Sequence, residues 1–567
     1  LKDILSGAAT QLLFQTAVLA SEQKMAAVAA QQRAHEEYDE TTDGWAIEDP
    51  PATRPEAPTP RSSSVQGFSM DQPPLKTEVA LDFPELGREA GDVEAVISVV
   101  APRIAATTRV PLRLVAVLDK SGSMGGDKLR LLTQTMLFML SKLSEGDALG
   151  LVAYGSEVNV LAPLTECTES GRRRLEAALN SLSAGTQTNL SGGLLAGLDL
   201  HLNCRGTGAS AASTQMQQEK FEATDKQNTH FGVSAPPEGA NPDGSVVRST
   251  FLFTDGLANV GITQVGNLCR AAENKLGEFS GNRCTVSTFG FGADHNADLL
   301  KNLADIGAGV YSYVENEDQI GQAFGEALGG LLTTTHQNVK LSLELAPGVV
   351  VKKTCTDYAV EGPSAGSGGS SVLSITIGDL FAEERRDILI ALTLPAAVHD
   401  GSEAVGQLHA RGFSLLSVST EETAGDEIRV ERRGGAAATR SPRCCNKHVL
   451  LHKNRYIATE ALQAARELAE RNDLLGAQQR LKVAAEAIGN SPLHGDAACV
   501  RLVTDLEDCA RDLQGRDTFM SHGSKKMAAM KMSHGTQRVC FGAEFSEAYA
   551  NPSMKAMSAS FKENVKK

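Results

Sequence analysis

The stretch Leu112-Arg113-Leu114-Val115-Ala116-Val117-Leu118-Asp119, continuing Lys120-Ser121-Gly122-Ser123-Met124-Gly125-Gly126, is the one from which the fold class follows. The run Leu112–Leu118 is apolar almost throughout, as expected of a strand covered on both faces. Asp119, Ser121 and Ser123 then fall at alternate positions just past its carboxyl end, the edge at which doubly wound sheets bind ligands. A carboxylate and two hydroxyls in one tight turn offer hard oxygen donors, the kind that Mg²⁺ or Ca²⁺ requires. Gly122, Gly125 and Gly126 let the backbone curl without side-chain clashes.

Working outward, the flanking sequence repeats the theme. The apolar run Thr250–Thr254 ends in Asp255-Gly256, a second carboxylate expected at the same sheet edge. Between the two lies Gly185-Thr186-Gln187-Thr188-Asn189-Leu190, a polar loop opening a helix and able to add one hydroxyl. Further strands are expected at Leu149–Tyr154, Asn159–Leu164, Cys284–Gly290 and Gly309–Val314. Helical periodicity marks Lys128–Leu143, Arg172–Leu182, Leu190–Leu202, Val265–Phe279, Ala297–Ile306 and Gln319–Leu332. Strand–helix alternation of this kind predicts an α/β domain over 109–335 with a doubly wound, mostly parallel, Rossmann-like sheet.

Asp-x-Ser-x-Ser after a hydrophobic strand, Thr-Asn-Leu before a helix and then Phe-Thr-Asp-Gly together resemble the von Willebrand factor A domain and its metal-ion-dependent adhesion site. The resemblance implies that Asp119, Ser121, Ser123, Thr188 and Asp255 hold a divalent ion, Mg²⁺ or else Ca²⁺ or Mn²⁺, directly or through water. Thr186 competes with Thr188 for the threonine role, and the Thr-Asn-Leu context favours Thr188. Gly122, Met124, Asn189 and Gly256 flank these ligands and are expected to face a bound partner. Two carboxylates balance one dication, and neutral hydroxyls leave it Lewis acidic, so an incoming Asp or Glu of a protein partner would gain most from completing the shell.

Outside this unit the pattern changes. Residues 1–38 read as a helix and 39–75 as a Pro-rich linker, because repeated prolines disfavour both helix and sheet. Residues 204–248 read as a polar surface insertion. Strand-like runs at 76–108 and 336–440 predict a β-sandwich into which the α/β domain is inserted or beside which it sits. Residues 446–514 read as a helical hairpin region, and 515–567, rich in Met, Lys, Ser and Gly without clear periodicity, as an extended tail. Gly378-Asp379-Leu380-Phe381-Ala382-Glu383-Glu384-Arg385-Arg386 and the helical segment after Asn446 resemble plant and algal A-domain proteins with a β-sandwich and a helical C-terminal region. Some of these carry a RING finger and are similar to ubiquitin ligases.

Composition narrows the function. The chain has 567 residues, 69 acidic against 54 basic, for a net charge of −15, which disfavours non-specific binding to nucleic acid or anionic membrane. No apolar run is long enough to span a bilayer. The ten cysteines include no Cys-x-x-Cys pair, so RING chemistry does not carry over and a reduced, intracellular, cytoplasmic setting is expected. Signatures of P-loop hydrolases and zinc proteases are missing from the sequence. The expectation is a non-catalytic scaffold or adaptor within a larger complex. Its rivals are a structural subunit, for instance cytoskeletal, with an incidental ion, and a ligase-like adaptor whose RING lies outside this sequence.

Overall fold

A computed structural model describes residues 74–104, 109–203, 246–279, 284–316, 319–366, 369–434, 446–540 and 549–565. The helix expected over 1–38, nearly all of the Pro-rich linker and residues 204–245 of the insertion lie outside the described residues.

In chain order, β1 (Lys76–Leu81), β2 (Glu85–Gly87) and β3 (Gly91–Val100) precede the α/β unit. That unit runs β4 (Leu112–Asp119), α1 (Asp127–Lys142), β5 (Ala148–Tyr154), β6 (Val158–Glu166), α2 (Glu169–Asn180), α3 (Leu190–Leu202), β7 (Val247–Thr254), α4 (Val265–Gly277), β8 (Cys284–Phe291), α5 (Ala297–Ile306), β9 (Ala308–Val314) and α6 (Ile320–Leu331). Its six strands are ordered β6-β5-β4-β7-β8-β9. All neighbours are parallel except β5 and β6. Strand order reverses between β4 and β7, which makes their carboxyl ends the topological switch point. Every residue of β5, β7 and β8 is buried, as strands covered by helices on both faces should be.

The chain then returns to antiparallel strands: β10 (Thr334–Leu345), β11 (Val350–Cys355), β12 (Ala359–Ala365), β13 (Ser371–Phe381), β14 (Arg385–Leu394), β15 (Gly401–Ser414), β16 (Ser419–Glu422) and β17 (Asp426–Arg433). One sheet is ordered β1-β3-β14-β11, and the other β12-β13-β10-β15-β17-β2 with β16 on β15. Alternate residues of the two sheets, among them Val93, Ile97, Leu341, Ile375, Ile390 and Leu408, share one apolar core. The strands before and after the α/β unit therefore form one sandwich from which that unit springs. β2, β12, β16 and β17 escaped the sequence reading: they are short, polar or edge strands with little apolar alternation.

Helices α7 (Lys447–Glu470), α8 (Leu474–Gly489) and α9 (Ala497–Asp512) follow. The segment expected to be an extended tail is instead helical: Arg516–Thr518 leads through a π turn at Phe519–Gly523 into α10 (Ser524–Thr536), and α11 (Pro552–Val565) follows later. The physical reason is burial. α10 is enclosed on nearly all sides, with Lys525, Met527, Ala528, Ala529, Met530, Met532 and His534 all buried, so it has no polar stripe to produce a readable period. Ala528, Ala529 and Met532 join the α/β core, whereas Met527 and Met530 join the core of α7, α8 and α9. α11 lies along α6, where a Cβ on Gly325 would come within 2.6 Å of Ser558 Cα and one on Gly329 within 2.8 Å of Met554 Cα. Only glycine at both positions permits that approach. Phe561 then meets Phe138 of α1 edge-on, centroids 4.7 Å apart.

Candidate metal centre

The register of β4 with β7 pairs Leu118 with Phe253, so the two parallel strands deliver Asp119 and Asp255 to the same sheet edge. Both carboxylates are buried. Thr254 Oγ1 donates to Asp119 Oδ2 at 2.8 Å, and the Ser121 N–H donates to Asp119 Oδ1 at 2.8 Å. Ser121 Oγ lies 3.2 Å from Ser123 Oγ, which donates to Asp255 Oδ1 at 2.6 Å. The turn carrying these serines is a short 3₁₀ segment at Gly122–Met124, and Gly126 (φ 83°) provides the left-handed step into α1.

The third loop is tied to both others. The Gly122 N–H donates to Thr186 O at 3.4 Å, and Gly185 N–H to Lys120 O at 2.5 Å. The Thr188 N–H donates to Asn259 Oδ1 at 2.8 Å, and Thr188 O accepts from the N–H groups of Asn259 (3.1 Å) and Val260 (3.3 Å) in the loop after β7. Thr188 is buried, 4% exposed, whereas Thr186 is exposed with its hydroxyl 2.7 Å from that of Ser156. That places Thr188 on the interior side of the loop and commits Thr186 elsewhere.

Burial pushes the Asp119 carboxyl up, and the nearby Asp255 charge acts in the same direction; hydrogen bonds from Ser121 and Thr254 oppose both. A divalent cation is the natural relief for such a pair. In an octahedral shell with oxygens about 2.0–2.1 Å from the ion, adjacent oxygens lie about 3 Å apart. The spacings of 3.2 Å between the serine hydroxyls and 2.6 Å from Ser123 to Asp255 are of that size, so the donor set fits a hard cation.

Of the four residues expected to face a partner, two stand at the rim: Gly122 is exposed and Gly256 partly so. Met124 does not. It is fully buried beside Leu118, Leu132 and Met136, because the 3₁₀ turn directs its side chain back under the sheet edge. Asn189 is half-buried and its Oδ1 caps α3, accepting from the Gly192 N–H at 3.0 Å and the Ser191 hydroxyl at 3.2 Å. Its side chain is thus engaged within the fold.

Three residues escaped the sequence reading. Thr254 supports Asp119, and its signal was its place directly before Asp255. Leu257, 59% exposed, puts an apolar side chain on the lip after Asp255-Gly256. Lys128, in the first turn of α1, donates to Asp255 Oδ2 at 2.6 Å from a half-exposed position. Nothing in the motif spacing announced it.

Sheet order, switch point and converging loops define a von Willebrand factor type A domain. A family model of that description matches residues 114–209. A second model, described as the N-terminal region of the CPSF6-like RSLD domain, matches residues 446–538. The chain is similar to two Arabidopsis thaliana proteins. One is E3 ubiquitin-protein ligase WAVH1, 24% identical over 435 residues (76% of this chain, 53% of that protein). The other is E3 ubiquitin-protein ligase WAV3, 25% identical over 472 residues (77% of this chain, 55% of that protein). These alignments extend well beyond the A domain, and the chain spans about half the length of these curated relatives. Among solved structures, the von Willebrand factor type A protein from Catenulispora acidiphila superposes with a TM-score of 0.55 at 16% identity, covering 81% of this chain and 98% of that one, which is a likeness of fold.

Proposed function

We propose that this chain is a non-catalytic protein-binding adaptor whose A domain holds a divalent ion, Mg²⁺ or alternatively Mn²⁺ or Ca²⁺, among Asp119, Ser121, Ser123, Thr188 and Asp255. The carrying observation is the convergence of three loops at the switch point, with carboxylate and hydroxyl oxygens at coordination-shell spacing. Such an ion, when bound, supplies a Lewis-acidic position for an outside oxygen. The chain's own residues do the rest: Asp119 and Asp255 neutralise the ion, Ser121 and Ser123 orient it while donating little charge, and Gly122 and Gly256 leave the rim open to a carboxylate of a protein partner. Leu257 offers that partner an apolar contact beside the ion. No helix among the described residues is long and apolar enough to cross a membrane. The test is affinity capture of partners by the full chain, with and without EDTA and with Asp119→Ala. Partners lost in both treatments support the bridge; partners retained in both sink it.

The names of the plant relatives favour a second, compatible reading, in which the adaptor presents its partner to a ubiquitin-transfer machinery. Under that reading, captured partners become ubiquitinated when the chain is supplied with extract, and Asp119→Ala abolishes the modification. Partners captured but never modified leave the adaptor role alone standing.

A further inference from the structure

Lys128 stands where an ion-binding site would ordinarily exclude a cation. Its Nζ donates to Asp255 Oδ2 at 2.6 Å while Ser123 Oγ donates to Oδ1 of the same carboxylate at 2.6 Å. The Asp255 side chain is fully buried, but that of Lys128 is 36% exposed, so the ammonium reaches the carboxylate from the solvent side. It also sits in the first turn of α1, where the free N–H groups of the helix repel a positive charge. A lysine placed against its own helix end is held there by the carboxylate.

Resting on the metal-bridged reading above, we propose that Lys128 couples the ion to an anionic partner. Asp119 and Asp255 carry two negative charges, which a dication alone would cancel, so a carboxylate would meet an open coordination position but no net positive charge. With Lys128 beside them the ion-free site retains one negative charge, and the loaded site has one positive charge. The ammonium therefore weakens ion binding in the absence of a partner, since the ion must enter beside a cation that already neutralises Asp255. It also leaves the loaded site with a charge that one Asp or Glu side chain cancels. Ion and acidic partner then bind together, each strengthening the other, as linkage between two ligands requires. The partner class that follows is an acidic side chain, not a backbone carbonyl or an amide.

The experiment is a Mn²⁺ titration of the full chain, with free ion counted by electron paramagnetic resonance, in sodium chloride and in sodium acetate of equal ionic strength. Wild type, Lys128→Met, Lys128→Arg and Asp119→Ala are compared. In chloride, K128M is expected to bind Mn²⁺ about tenfold more tightly than wild type, the scale of removing a neighbouring charge at a partly screened site. Acetate should tighten wild type and K128R several-fold and leave K128M nearly unchanged. Equal Mn²⁺ affinities of wild type and K128M, or equal responses of both to acetate, overturn the coupling while leaving the metal site intact. Undiminished Mn²⁺ binding by D119A would instead overturn the metal site itself, and the coupling with it.

Discussion

Asp387 and Asp119 are both carboxylates sunk among apolar strands, yet their neighbours differ in kind. Asp387 lies on β14 where the sandwich meets α7 and the residues after α10. Its Oδ1 accepts from Ser98 Oγ and Arg385 Nε, each at 2.6 Å, and His448 Nε2 lies 3.1 Å away. Gln537 Nε2 donates to Oδ2 at 3.2 Å, and His452 Nε2 approaches it at 3.5 Å. Burial alone would raise this carboxyl, but the His448 hydrogen bond and the charges around it hold it well below the usual carboxylate range. Asp119 is served by neutral donors, among them the Ser121 N–H and the Thr254 hydroxyl, and its carboxyl is pushed up. A saturated carboxylate joins pieces of the fold; an underserved one retains capacity for an outside cation.

The same comparison decides between two metal candidates. Asp387, His448 and His452 bring ligand atoms within 4.8 Å of one another, with the histidines one helical turn apart. But Arg455 Nε donates to His452 Nδ1 at 3.0 Å, which leaves the proton of the neutral ring on Nε2, facing Asp387. With its lone pair turned away and Arg385 on the carboxylate, the trio is built as an ion-pair hub.

Removing the hub should produce the largest effect. Asp387→Ala leaves Ser98 and Gln537 without an acceptor and Arg385 with Glu78 as its remaining counter-charge, at a cost of about 3 kcal/mol. The first urea transition should move accordingly, with or without Mg²⁺. A loss below about 1 kcal/mol would mean that the cluster is not what fastens the helices to the sandwich.

The legibility of the two clusters differs for physical reasons. Asp119 and Asp255 each follow an apolar strand, so local pattern alone placed both at the switch point, and the α/β order and three converging loops were readable. The hub draws on Ser98, Arg385, Asp387, His448, His452 and Gln537, which lie on four segments far apart in the chain. Of these, only the His448-x-x-x-His452 pair is local in sequence, and it was not singled out. α10 was unreadable because a helix buried all round carries no stripe, and Met124 misled because a 3₁₀ turn reverses the side chain that a motif places at the rim.

Ion addition should rank second. At free Mg²⁺ about a hundred times its dissociation constant, wild type should gain about 2.7 kcal/mol against unfolding, and Asp119→Ala should gain nothing. A full gain in Asp119→Ala, followed by melting temperature against Mg²⁺ concentration, would place the ion elsewhere.

Acid should discriminate next. Burial pushes His452 down to about 3, and likewise His201 and His295 in the A domain. Each ring is neutral when folded and takes up a proton more readily unfolded, at an ordinary value near 6.5. Its contribution is therefore complete above pH 6.5 and is lost as pH falls from there towards 3. Each such group steepens the loss by up to about 1.4 kcal/mol per pH unit. His452→Gln should flatten the curve between pH 6 and 4.5 by about one proton, read from urea midpoints across that window. An unchanged slope would show that His452 is not among the groups protonated there.

The smallest effect is the one that separates the clusters most cleanly. Asp119→Asn keeps the shape of the side chain and an acceptor for the Ser121 N–H, while Thr254 Oγ1 can turn to accept from the new amide. It removes a charge that burial and Asp255 both oppose. In EDTA, stability should therefore change by less than about 1 kcal/mol, in either direction, because a group retained for ligand binding is rarely the best group for folding. At the hub the neutral variant fails, because charged donors there depend on the anion. A loss in EDTA comparable to that of Asp387→Ala would show that Asp119, too, is an internal fastener and that no place has been kept for a cation.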